Sequence, residues 1–66
     1  MQIGKNVEKF RKAKGLTQQE LANRVYVTQA VISYLEKDIK MPGFEVMARI
    51  ADELECTIDD LRGQTS

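Results

Sequence analysis

The sequence predicts an all-α bundle of five short helices, on three observations. Apolar residues recur at helical spacing in five separate runs. Two of those runs open on a Thr followed three residues later by an acidic residue, the pattern of a capping box. No stretch alternates apolar and polar residues for long enough to compete as a strand.

The helices are predicted over about residues 3–13, 18–25, 29–36, 44–54 and 58–62. In the first, Ile3, Val7 and Phe10 fall at i, i+4 and i+7 on one face, and Gly15 is placed to end it in a left-handed conformation. Thr17 and Glu20 form the capping box of the second, which turns Leu21, Ala22 and Val25 inward. Thr28 is the N-cap of the third, with Ile32 and Leu35 inward. Pro42 and Gly43 break the pattern, and Gly43 takes the next N-cap position, where it is weaker than Ser. Phe44, Met47, Ile50, Ala51 and Leu54 form the stripe of the fourth helix. Thr57 and Asp60 box the fifth, whose apolar positions are Ile58 and Leu61; Asp59 and Asp60 also suit its positive end. The polar tail after Gly63 is expected to fray.

Sixty-six residues make one domain, 1–66, with a small core: a chain this short buries only roughly 60% of its unfolded surface. Hydrophobic content of 42% and a single Pro argue against disorder. Cys56 has no partner for an internal disulfide and reads as a small buried apolar residue; with no His in the chain, a zinc finger is excluded. No apolar run approaches the roughly 20 residues that span a bilayer, and no cleavable signal opens the chain, so a cytoplasmic protein with no membrane partner is expected. There is no cysteine pair and no glycine-rich phosphate loop, and the acidic pairs lack the spacing of a metal or hydrolase site. The expectation is a non-enzyme without cofactor, metal or evident small-molecule site.

The net charge of +0 hides a division. Residues 1–40 carry Lys5, Lys9, Arg11, Lys12, Lys14, Arg24, Lys37 and Lys40 against four carboxylates, a balance of +4. Residues 41–66 carry a balance of −4. A basic half facing phosphate and an acidic half facing away would steer DNA, though more weakly than an all-basic domain.

Thr17 to Leu35 reads as two short helices joined by a tight turn, the layout of a helix-turn-helix. With Ile32 and Leu35 inward, the outer side of the second of these helices is Gln29, Ala30, Ser33 and Tyr34. In a major groove, Gln29 suits bidentate bonding to adenine N6 and N7, Ala30 allows close approach to a thymine methyl, and Ser33 donates or accepts. Tyr34 and Lys37 lie farther along, where phosphates come within reach. Gln18, in the first turn of the preceding helix, Thr28 and Lys40 complete the expected backbone contacts.

The segments IGKNVEKFRKAKGLTQQELA, VTQAVISYLEKDIKMP and MARIADELECTIDDL, in that order and spacing, resemble the lambda/434 repressor–Cro-like family, also called xenobiotic-response-element-type regulators. The resemblance covers Ile3 to Leu61. It implies a compact five-helix lambda-repressor-like bundle and a small DNA-binding transcriptional regulator, most often a repressor. It places Gln29, Ala30, Ser33 and Tyr34 at the base-contacting positions, with Gln18 at a phosphate position and Lys37 and Lys40 near the backbone. Arg11 and Glu36 match a structural ion pair between the first helix and the end of the third.

The resemblance also implies a homodimer on a palindromic operator, with Ile58, Leu61 and Arg62 as candidate contacts. Three positions depart from the pattern: the family often has Gly where this chain has Tyr26, Asp38 and Glu55. A positive φ at Tyr26 would cost about 1–3 kcal/mol unless packing compensates. The neutral total charge and the absence of Arg from the outward stripe keep a second reading open: a protein-interaction module on the same bundle, antitoxin-like or a regulatory partner, that does not bind DNA.

Overall fold

Four of the five helices have the predicted bounds, and the fourth stops one residue early. The computed structural model describes residues 2–63, so the tail expected to fray lies outside the described residues. The helices are α1 (Ile3–Ala13), α2 (Gln18–Val25), α3 (Gln29–Glu36), α4 (Phe44–Glu53) and α5 (Ile58–Arg62). Leu54 is the C-cap of α4 rather than its last residue. Helix α1 packs on α3 and α5, α2 on α3 and α4, and α4 on α5. Among the described residues no helix is long and apolar enough to cross a membrane.

The core is Val7, Leu21, Ala22, Val25, Ile32, Leu35, Met47, Ile50, Ala51, Leu54 and Leu61, all of them predicted apolar positions. Phe44 is a predicted position that stays outside it. It shares the angular stripe of Met47 but is 77% exposed, and Val46 packs against the core instead. Periodicity fixes the direction of a side chain around the helix, not whether a neighbouring helix reaches that turn.

Both capping boxes form. Thr17 Oγ1 accepts from the Glu20 N–H at 3.0 Å, and Glu20 Oε1 accepts from the Thr17 N–H at 2.8 Å. Thr57 and Asp60 repeat the arrangement, with both bonds at 3.0 Å. The backbone N–H and then the hydroxyl of Thr17 hold the Glu20 carboxyl below its ordinary pKa. A carboxylate depressed in the folded state adds stability above its unfolded pKa and loses it as pH falls through the folded value. The melting midpoint should therefore decline as pH drops below the ordinary glutamate range. Glu20→Gln, whose amide oxygen still accepts from Thr17, should flatten that decline in melts across the acid range. An unchanged slope would show that the box is not its source.

All three non-glycine departures occupy the left-handed region: Tyr26 at φ 64°, Asp38 at 57° and Glu55 at 57°. Each conformation costs about 1–2 kcal/mol for an L-residue. Each is also tied by its side chain to another element. The Arg49 guanidinium lies 5.9 Å from the centroid of the Tyr26 ring and donates to the Val25 carbonyl at 3.3 Å. Asp38 Oδ1 accepts from the Gly4 N–H at 3.1 Å. Glu55 pairs with Lys14 at the end of α1. A cation–π contact or a hydrogen bond of this kind is worth about 0.5–1.5 kcal/mol, enough to offset much of the strain.

The start of α1 is locked against the end of α3. A Cβ on Gly4 would lie 2.6 Å from the Glu36 carbonyl oxygen and closer still to that of Leu35. Gln2, the N-cap of α1, makes no side-chain cap bond, and Asp38 supplies a carboxylate there from the loop after α3.

Candidate nucleic-acid interface

Ile32 and Leu35, both fully buried, hold α3 to the core, and its opposite side is free. Gln29, Ala30 and Tyr34 are exposed and Ser33 is half-buried, so the predicted stripe is present on the surface. Thr28 takes the N-cap backbone conformation as predicted, but its side chain makes no cap hydrogen bond. Its exposed hydroxyl is left available beside the helix start. Lys37 and Lys40 are exposed just past the other end.

The loop after α3 folds back on the helix. The Ile39 and Lys40 N–H groups both point at the Tyr34 carbonyl, at 2.9 and 3.5 Å. Tyr34 shares an apolar groove with Val31, Lys40, Met41 and Pro42, so its ring is partly committed to that loop. The two carboxylates nearest the stripe in sequence are turned away from it. Glu36 is buried against Arg11, and Asp38 is bonded to Gly4.

Beneath the stripe lies a continuous polar chain. Arg11 Nε donates to Glu36 Oε2 at 2.6 Å and Arg11 Nη2 to Glu36 Oε1 at 3.1 Å, a bidentate pair with both residues buried. Arg11 Nη1 donates to the Leu16 carbonyl at 2.7 Å. The Glu36 hydrogen bond raises the Arg11 pKa further against the opposing effect of burial, so the guanidinium stays charged. Gln18 Nε2 donates to Glu36 Oε1 at 2.9 Å, and Gln29 Nε2 donates to Gln18 Oε1 at 3.2 Å. The ion pair implied by the family pattern therefore exists. The two glutamines assigned separate roles in the sequence touch each other. One N–H of Gln18 is committed inward and one remains for an outside acceptor.

Leu61 is corrected as a contact for a second copy. It is 0% exposed and closes the core where α5 meets α1, with the Asn6 side chain donating to its carbonyl at 2.7 Å. A side chain at i+3 from Ile58 on so short a helix falls on the inward face. Ile58 is half-buried against the core, and Arg62 is exposed and 3.7 Å from Asp59.

Gly4 and Asp38, which secure the end of α3, carry no periodic or capping signal along the chain. Their partners are more than thirty positions away. An Asp following a helix, in a place where left-handed backbone is common, is the one sequence cue that pointed toward this contact.

The chain matches the helix-turn-helix family over residues 7–61, which includes every element of this site except the start of α1. It is 33% identical over 61 residues to the HTH-type transcriptional activator BcrR of Enterococcus faecalis, covering 92% of this chain. The match spans only 30% of BcrR, so the likeness concerns one part of a longer protein. It is 36% identical over 55 residues to an uncharacterized HTH-type transcriptional regulator of Archaeoglobus fulgidus, covering 83% of this chain and 79% of that one. Among solved structures, the P22 c2 repressor in complex with a synthetic operator superposes with a TM-score of 0.92 at 25% identity, covering 98% of both chains. The five helices, the outward stripe on α3 and a family match over most of the chain together identify it: this chain belongs to the Cro/C1-type helix-turn-helix family, with a lambda-repressor-like fold.

Proposed function

We propose that this chain is a sequence-specific double-stranded DNA-binding transcriptional regulator that acts as a repressor by occupying its site with α3 in the major groove. The observation that carries this is the α3 stripe: Gln29, Ala30 and Tyr34 stand exposed on a firmly anchored helix, with Glu36 buried against Arg11, Asp38 engaged by the Gly4 N–H, and two exposed lysines past its end. A groove about 12 Å wide accepts a helix with small and polar side chains on its outer face. Gln29, Ala30, Ser33 and Tyr34 face the bases in this reading. Gln18, Thr28, Lys37 and Lys40 face the phosphates, fixing register without carrying sequence information.

An eight-residue helix reaches few base pairs. Useful specificity then favours two copies on a palindromic operator, with half-sites about 34–36 Å apart. Ile58 and Arg62 remain as contacts for that pairing, and the exposed Ile39, Met41 and Phe44 add apolar surface. That same apolar surface is what favours the second reading, a protein-interaction module with no DNA target.

Selection of bound sites from a random duplex pool separates the two. A defined motif is expected, and Gln29→Ala should relax it at one or two positions. Lys37→Ala should instead weaken all sites nearly equally and lower the salt slope by about 1, as the loss of a single phosphate contact does. No enrichment by folded protein at low salt would overturn the DNA reading in favour of the protein partner.

A further inference from the structure

The two ends of α3 are secured differently. Its last turn is held by the Arg11–Glu36 pair and by Gly4 packed on the Leu35 and Glu36 carbonyls. Its start, where Gln29 and Ala30 lie, has no side-chain cap, since the Thr28 side chain makes no cap bond. The chain enters that start through the turn at residues 26–28, and α4 reaches the turn with Arg49. Arg49 Nη1 donates to the carbonyl of Val25, the last residue of α2, at 3.3 Å. Its Nη2 pairs with Glu45 at 3.4 Å, and its guanidinium carbon lies 5.9 Å from the centroid of the Tyr26 ring. Tyr26 itself sits at φ 64° and ψ 41°, with its N–H on the Ala22 carbonyl. The Val27 N–H reaches the same carbonyl at 3.0 Å. Closing a helix in this way requires left-handed backbone at Tyr26. The residue is 82% exposed, so burial does little to hold the strained conformation, and the Arg49 contact is what opposes it.

Resting on the reading of α3 as the groove-reading helix, we propose that Arg49 is a positioning residue for DNA recognition. It holds the turn at Tyr26 in its left-handed form and thereby fixes the start of α3, without touching DNA. The logic is compensation. Glycine takes this conformation at no steric cost, whereas the Cβ of tyrosine strains it. Released from Arg49, the turn relaxes toward negative φ, loosens the two N–H contacts on Ala22 and swings the short link to Gln29. Base readout tolerates little of this, because a recognition group has to be held within about 0.5 Å and 10–20° of its working geometry. Phosphate contacts from the long side chains of Lys37 and Lys40, past the other end of α3, are less exacting. Arg49 therefore acts on the preference for one sequence over another, and hardly on the general attraction to a duplex.

The test measures affinity for the selected operator relative to a scrambled duplex at one salt concentration, with each variant shown to be folded by circular dichroism. Arg49→Met keeps an unbranched side chain and removes the guanidinium. It should lower the operator-to-scrambled ratio by about threefold to tenfold, the loss of one such contact. Affinity for the scrambled duplex should change by less than about twofold. In a Tyr26→Gly background the strain is absent, so the same substitution should change the ratio by less than about twofold. An equal loss in both backgrounds, or no loss with Tyr26 present, overturns the proposal. So does a parallel fall on both duplexes with a salt slope lower by about 1, which would make Arg49 a phosphate contact. If Arg49→Met does not fold, Tyr26→Ala carries the test. It keeps the strain and loses the ring, and its ratio should fall below that of Tyr26→Gly; equal ratios overturn the proposal. If wild type prefers no duplex, the DNA reading itself falls. A preference that Arg49→Met leaves intact sinks the positioning role alone.

Discussion

Arg11→Met is expected to cost about 3–5 kcal/mol of folding stability, because it leaves the Glu36 carboxylate buried with only the Gln18 amide to answer it. A domain of this length has about 3–10 kcal/mol in total, so the variant should sit near the edge of folding at room temperature. The size of the loss comes from the stranded charge, not from the strength of the pair. Arg11→Met combined with Glu36→Leu removes both charges from the same buried site and should recover much of the loss. Urea unfolding of the wild type, the two single variants and the double variant reads this directly as a coupling energy. A single Arg11→Met loss below about 1 kcal/mol, the range of a surface ion pair, would show that the pair is solvated.

Gly4→Ala should destabilise the domain by about 2–3 kcal/mol or more, opposite in sign to the usual effect. In an exposed helix, Ala in place of Gly stabilises by roughly 0.5–1 kcal/mol. At Gly4 the added methyl meets two backbone carbonyl oxygens at the end of α3, one of them at 2.6 Å, and the Asp38 carboxylate at 2.9 Å. Backbone cannot rotate aside as a flexible side chain can. Relief requires α1 to lift from α3, and overpacking of this kind costs about 1–3 kcal/mol before the lost Asp38 cap is counted. Thermal melts of Gly4→Ala beside Gly43→Ala provide the contrast, since a Cβ at Gly43 meets nothing within 4 Å. A Gly4→Ala variant as stable as wild type would mean that α1 does not approach α3 this closely.

The two predictions concern the same place. The end of α3 is held by Arg11 from the last turn of α1 and by Gly4 from its start, where Asp38, just past α3, accepts from the Gly4 N–H. A helix anchored at that end presents its outer stripe in one fixed orientation, which is what reading base edges requires.

The helices were legible because each is specified locally. Thr17 with Glu20 and Thr57 with Asp60 close their boxes within four residues, and Gly15 ends α1 through its own φ of 71°. The buried face was legible for the same reason, since Leu21, Val25, Ile32, Leu35 and Ile50 follow a period that belongs to one helix at a time. The outer stripe came as the complement of that face. Phe44 and Leu61 mark the limit. Each lies on an apolar spacing, and one is open to solvent while the other is sealed in the core, because their fate rests on which helix stands opposite.

By itself, then, the order of residues determined where helices start and stop, which faces are apolar, and the family pattern that they spell out. Only packing decided that Gln18 and Gln29 share a hydrogen bond, that Gly4 admits no side chain, and that Tyr26, Asp38 and Glu55 bear left-handed backbone with a partner for each. The physical reason is range. Caps and periodicity act within one or two turns, whereas these contacts join residues 11 to 41 positions apart, and their energies exist only once the helices have docked.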